Sequence, residues 1–183
     1  MEHGNAAIRR VRYSVAMSLD GYIAGPNGGF DWIVMDPEID FAAAFKEFDT
    51  LLIGRKTYDM MRDQSGPQMP GVKTFVFSRT LHQKDCPSAV VVRDPVETIE
   101  SLRKQPGKDI WLFGGGSLFR SLLDLGLVDS IEVSIVPILL GGGIPLLPTP
   151  AAKTKLSLQK HKVYAQTGTV SLEYAVVPAG QAQ

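Results

Sequence analysis

Cysteine is nearly absent. Cys86 is the single one in 183 residues, so no intramolecular disulfide can form. The histidines His3, His82 and His161 lie far apart, without C-x-x-C or H-E-x-x-H spacing, and no metal is expected. An excess of charge of either sign is also missing, because 19 Lys+Arg balance 19 Asp+Glu. That balance argues against a polyanion-binding surface, so neither nucleic acid nor an anionic membrane is an expected partner. Long apolar runs are lacking too. Val133 to Ile144 is broken by Pro137 and three glycines before it reaches spanning length, and Met1 to Arg10 holds no apolar signal-peptide core. The expectation is a cytoplasmic protein whose partner is a small-molecule substrate.

Apolar residues make up 44% of the chain and charged residues 21%, a composition that favours a packed core over disorder. The length suits one domain. We expect a flexible N-terminus over 1–10, a domain over 11–178 and a flexible C-terminus over 179–183. Val11 to Met17 alternates as a strand should. Ser18 to Asp31 is dense in turn residues and reads as a mobile lid. A helix is predicted over 37–48, then a buried strand at Thr50 to Ile53 ended by Gly54, and a short helix over 56–61. Further strands are expected at 73–78, 90–92 and 109–113, with helices near 96–102 and over 117–125. A long β-rich run covers 128–140, and 155–164 with 169–177 form a terminal hairpin across Gly168. The order predicts a single-domain α/β fold with a central mixed sheet. It should be mostly parallel, antiparallel at its C-terminal edge, with helices on both faces.

Three strand ends carry residues suited to anions. Gly54-Arg55-Lys56-Thr57 joins a buried strand to a helix start, where free N–H groups favour negative charge. Gly114-Gly115-Gly116-Ser117-Leu118-Phe119 follows another strand, and its glycines let a phosphate approach the backbone. Ser78-Arg79-Thr80 offers a guanidinium and two hydroxyls. Each alone is compatible with ordinary turn or capping chemistry. Together they suit a dinucleotide bearing a pyrophosphate and a separate 2′-phosphate, since ligands of open α/β sheets gather beyond the carboxyl ends of the strands.

The G-x-G-x-x-G fingerprint fails at Phe119, and no G-x-x-x-x-G-K-[ST] or G-x-S-x-G motif occurs. Candidate acids are Asp20, Asp31, Asp36, Glu38 and Asp40, with Trp32 as an apolar neighbour. The apolar run Val136 to Leu147 suits a subunit contact, a pocket wall or the monomer core.

Read together, Val15 to Ala24, Asp31-Trp32, Ile53 to Tyr58, Phe77-Ser78-Arg79 and Phe113 to Ser117 resemble the dihydrofolate reductase superfamily over residues 11 to 177. Ser18 to Ala24 and Pro137 to Leu146 look more like the reductase domain of bacterial riboflavin biosynthesis, the RibD C-terminal domain, and its stand-alone relatives. The resemblance implies a three-layer dihydrofolate-reductase-like fold, a homodimer and an NADPH-dependent reductase. Hydride would pass to a small heterocyclic or ribosylamino-pyrimidine-type substrate; dihydrofolate reduction and a non-catalytic NADP-binding dimer are the alternatives. It places Ala16 and Ile23 near the nicotinamide, Gly54 to Thr57 with Ser78 and Arg79 near the adenosine phosphates, and Gly114 to Phe119 around the pyrophosphate. Trp32 falls on the substrate side, and the proton donor on Asp31, Glu38 or Asp40.

Overall fold

The structure, a computed structural model, describes residues 8–63, 71–178 and 180. Its centre is β1 (Val11–Ser18), whose apolar alternation buries Val11 and Tyr13 against one layer of helices. Around it stand β3 (Phe48–Gly54), β4 (Lys73–Phe77), β5 (Val90–Val92), β6 (Asp109–Gly114), β7 (Ser130–Val136), β9 (Leu156–Tyr164) and β10 (Thr169–Val176). The eight strands run in the order β5-β4-β3-β6-β1-β7-β10-β9. Pairing is parallel from β5 to β7 and antiparallel from β7 through β10 to β9, as the strand order in sequence predicts. A small ribbon, β2 (Tyr22–Ala24) with β8 (Ile144–Pro145), stands apart.

Helices α3 (Pro95–Lys104) and α4 (Gly116–Asp124) cover one face, burying Ile99, Leu102, Phe119 and Leu122 against Tyr13, Leu52, Ile110 and Leu112. Each such side chain contributes about 1.5–3 kcal/mol on leaving water. On the other face α2 (Arg55–Asp63) lays Tyr58 over Leu51, Ile53 and Val76. Sequence fixes the start of α3 locally: Asp94 accepts from the N–H of Glu97, and Pro95 opens the first turn.

Two expectations change. The helix predicted over 37–48 contracts to α1 (Phe41–Phe45), because Asp36 ties down the N–H of Glu38 and its carbonyl that of Ile39. Asp40 then becomes the cap, accepting from Ala43 N at 2.8 Å. The lid segment contains β2, and its base is anchored. Of the expected tails, 1–7, 179 and 181–183 lie outside the described residues. Arg9, at the edge of the domain, is buried, bonded to Asp49, to Thr50 Oγ1 at 2.6 Å and to the Lys108 carbonyl at 2.6 Å.

Candidate functional site

Because β1, β3, β4 and β6 run parallel, their carboxyl ends meet along one edge of the sheet. Gly54, ending β3, faces Gly114 and Gly115; an added Cβ there would stand 3.8 Å from the Gly114 carbonyl oxygen and from Leu118 Cβ. Gly114 has φ +152, which an L side chain rarely adopts. The side chain of Thr57 closes the same gap from α2, its Oγ1 3.6 Å from where a Gly115 Cβ would be. The first turn of α4 opens here, and the N–H groups of Gly116 and Ser117 precede the intrahelical ladder. Next to it, Arg55 Nη1 donates to Thr80 Oγ1 at 2.9 Å, while Ser78 Oγ accepts from the N–H groups of Thr80 and Leu81 at 3.3 and 3.1 Å. Arg79 is exposed on that turn. Three motifs separated in sequence thus form one glycine-lined, cationic rim.

The rim opens into a cleft of about 1180 Å³. Ala16, Ile23, Lys56, Thr57, Gly114 and Gly115 line it. Gly54, Arg55, Ser78 and Arg79 lie beyond its described lining, on the strand-end rim. Leu118 and Phe119 serve packing: Phe119 is buried with its ring centroid 3.9 Å from that of Tyr13, and both N–H groups donate to the Gly115 carbonyl. Trp32 is half-buried and donates to the Gly29 carbonyl at 3.3 Å, while its neighbours Phe30, Ile33, Val34 and Met35 line the cleft. Phe45, Trp111 and Phe113 form an aromatic wall, with centroids 5.2 Å apart for the first pair and 5.1 Å for the second.

Ile23, Ala24, Pro26, Asn27 and Gly28 of the glycine-rich segment line the cleft, and the base of the segment is fixed. Asp20 accepts from Ser18 Oγ at 2.6 Å and from the N–H groups of Leu140 and Gly141 at 3.1 and 2.7 Å. These bonds, led by the Ser18 hydroxyl, hold the Asp20 carboxyl below its ordinary pKa. Val136 and Ile144 from the apolar run line the cleft, Leu146 and Leu147 pack on the core, and Leu139 is exposed.

Residues 9–170 match the RibD C-terminal domain. The chain belongs to the RibD C-terminal domain family. It is 34% identical to the uncharacterized protein YyaP of Bacillus subtilis (strain 168) over 186 residues, covering 93% of this chain and 96% of that one. A putative riboflavin biosynthesis protein from Shewanella sp. PV-4 superimposes with TM-score 0.78 at 27% identity, over 92% of this chain and 99% of the other. Dihydrofolate reductase from Enterococcus faecalis, complexed with NADP(H), superimposes with TM-score 0.68 at 16% identity, over 92% and 97%. The fold is therefore that of dihydrofolate reductase.

In this RibD C-terminal domain the carboxylates singled out by sequence are not among the described residues lining the cleft. Asp40 caps α1, Glu38 stands 3.4 Å from Lys162 Nζ, and Asp31 is exposed on the lid. Asp36 is buried and accepts from Thr167 Oγ1 at 2.9 Å. Among the described residues lining the cleft, the carboxylates are Glu132 and Glu173. Glu132 is gripped by Arg12, whose guanidinium also reaches Glu47 and, at 3.3 Å, Asp109. Burial opposes the charge on Arg12, but the bonds to Glu132 and Glu47 outweigh it and raise its pKa above the ordinary value. The signal for this pair was present in the chain. Arg12 and Ser14 alternate with Val11 and Tyr13, and Ser130, Glu132 and Ser134 with Ile131, Val133 and Ile135, giving two neighbouring strands one polar face.

Proposed function

We propose that the protein is an NADPH-dependent reductase acting on a small heterocyclic substrate, including compounds of the ribosylamino-pyrimidine type. The observation that carries this reading is the continuity of the glycine-lined, cationic rim with a cleft that has an aromatic wall. The residues present fit the cofactor. Backbone at Gly114 and Gly115 leaves room for a pyrophosphate, the opening N–H groups of α4 favour its charge, and Arg55, Ser78 and Arg79 offer donors to a 2′-phosphate. NADPH, once bound, supplies a hydride. Ala16 and Ile23, which line the cleft, would hold the ring that carries it, and the 21–29 segment would exclude water on binding.

The test is thermal unfolding with NADPH, NADP and NADH. Ligand at a hundredfold excess over Kd stabilises by about 2.7 kcal/mol, or about 5–10 °C at this size. NADPH should shift the midpoint and NADH should not, and Arg79→Ala should reduce the difference between them; no shift with any nucleotide would overturn the reading. We also propose a cytoplasmic homodimer, supported by Leu156, Leu158 and Val163 exposed along β9. Light scattering at twice the 19.9 kDa chain mass is expected, and a particle of one chain mass would refute it.

A further inference from the structure

The floor of the cleft is polar in a way the rim does not require. In the register of β1, β7 and β10, Ser14 stands beside Glu132, Ala16 beside Ser134, Glu132 beside Glu173, and Ser134 beside Ser171. Paired residues share a sheet face, and all of these line the cleft. Arg12 forks onto Glu132, with Nε 2.6 Å from Oε1 and Nη2 3.0 Å from Oε2. Ser130 Oγ adds a second bond to Oε1 at 3.3 Å. Two donors fill Oε1, while one leaves Oε2 with acceptor capacity.

We infer that Glu132, positioned by Arg12, accepts N–H groups from an unphosphorylated, planar nitrogen heterocycle bound in this cleft. The inference rests on the reductase reading above and narrows its substrate class.

Planarity follows from the walls. Phe45, Trp111 and Phe113 line the cleft, and Phe48 lies under the Arg12 guanidinium at 4.7 Å, so a flat ring finds apolar faces while its edge meets the carboxylate. Ring size follows from the strand. Ser14, beside Glu132, is two residues from Ala16, about 6.6 Å along β1, which is the span of a fused bicycle between a hydrogen-bonding edge and a reacting carbon.

The lack of a phosphate follows from charge. The described Lys side chains lining the cleft are Lys56, Lys160 and Lys162. Lys56 stands at the rim beside Thr57, Lys160 is 3.3 Å from Glu173, and Lys162 is 3.4 Å from Glu38. Arg12 already faces Glu132, Glu47 and Asp109. A phosphate on the substrate reaching Arg12, Lys160 or Lys162 would have to displace a carboxylate partner, with Glu132 and Glu173 on the same floor, while Lys56 stands at the rim proposed above for the cofactor. The same acidic floor favours amino groups.

The experiment is calorimetric titration of the full chain, with and without NADPH, by 2,4-diaminoquinazoline and by quinazoline-2,4-dione. These share a shape and differ in offering amino or carbonyl groups. The diamine should bind at least about tenfold tighter, the worth of one hydrogen bond to a charged group. Glu132→Gln should remove that preference while changing NADPH affinity less than about twofold. Arg12→Lys should keep part of the preference that Arg12→Ala loses, since a point charge holds the carboxylate without its fork. A ribosylaminouracil nucleoside and its 5′-phosphate should bind within about twofold of each other. Equal binding of the two quinazolines, binding of neither, a preference retained in Glu132→Gln, or a tenfold gain from the phosphate would each overturn the inference. Failure of the reductase reading looks different: NADPH would produce no thermal shift while the diamine preference persisted in the cofactor-free protein.

Discussion

Gly116→Ala probes the join between the first turn of α4 and the segment after β8. A Cβ at this position would stand 2.6 Å from the Pro145 carbonyl oxygen, 3.0 Å from Pro148 Cδ and 3.1 Å from the Leu146 carbonyl oxygen. Two of these three are backbone atoms, which cannot rotate away, so the helix must lift off the 145–148 segment. Overpacking of this kind costs about 1–3 kcal/mol, and the better helix propensity of alanine offsets up to about 1 kcal/mol of it. A net loss of about 1–2 kcal/mol should lower the unfolding midpoint by about 2–8 °C. The displaced turn carries the N–H groups of Gly116 and Ser117, so NADPH affinity should fall as well, by about fivefold for each kcal/mol of misplacement. Gly142→Ala is the control, because nothing lies within 4 Å of its added Cβ. It should change stability by less than about 0.5 kcal/mol. If Gly116→Ala matched the control in midpoint and in NADPH affinity, the steric argument for this glycine would be wrong.

Tyr13 has its hydroxyl buried without a hydrogen-bond partner among the described residues while its ring stacks on Phe119, so Tyr13→Phe should stabilise by about 1 kcal/mol in denaturant unfolding; a loss would refute the stranded hydroxyl. Arg12→Ala leaves Glu132 and Asp109 facing each other across a half-buried space and should cost about 3 kcal/mol, with the exposed Glu47 contributing least; a cost under 1 kcal/mol would deny the network its role. Asp20 has a folded pKa below its unfolded one, so its clasp on Leu140 and Gly141 is present above the ordinary carboxylate range and is lost as pH falls through the lowered value. Hydrogen exchange at those two amides, corrected for its intrinsic pH dependence, should lose protection only below about pH 4, and in Asp20→Ala should be fast at every pH.

The alternating β1, the strand–glycine–helix joins at Gly54 and Gly114 and the terminal hairpin could all be read from periodicity and turn chemistry, because each is a local pattern. What could not be read was where the loop from Phe30 to Asp40 runs. Its apolar residues have roughly helical spacing, yet Ile33, Val34, Met35 and Ile39 line the cleft, and Asp36 is held by Thr167 from the far hairpin. A contact 131 residues distant in the chain decides which carboxylates can reach a ligand there. Glu132 is illegible in the sequence for the opposite reason. A lone charge in a strand reads as a solvated face until Arg12, on the neighbouring strand, is placed on the same side of the sheet.

The place of β1 between β6 and β7 also governs how the chain can be made. Arg10 must wait for Asp109, 99 residues later, and Arg12 for Glu132, 120 residues later. At about 5–20 residues per second a ribosome takes roughly 6–24 s to supply that second partner. Until β6 is made β1 has two open edges and an apolar face, and the edge that pairs with β7 stays open until residues 130–136 are made. The sheet therefore closes late, by joining β1 to two strands more than half the sequence away.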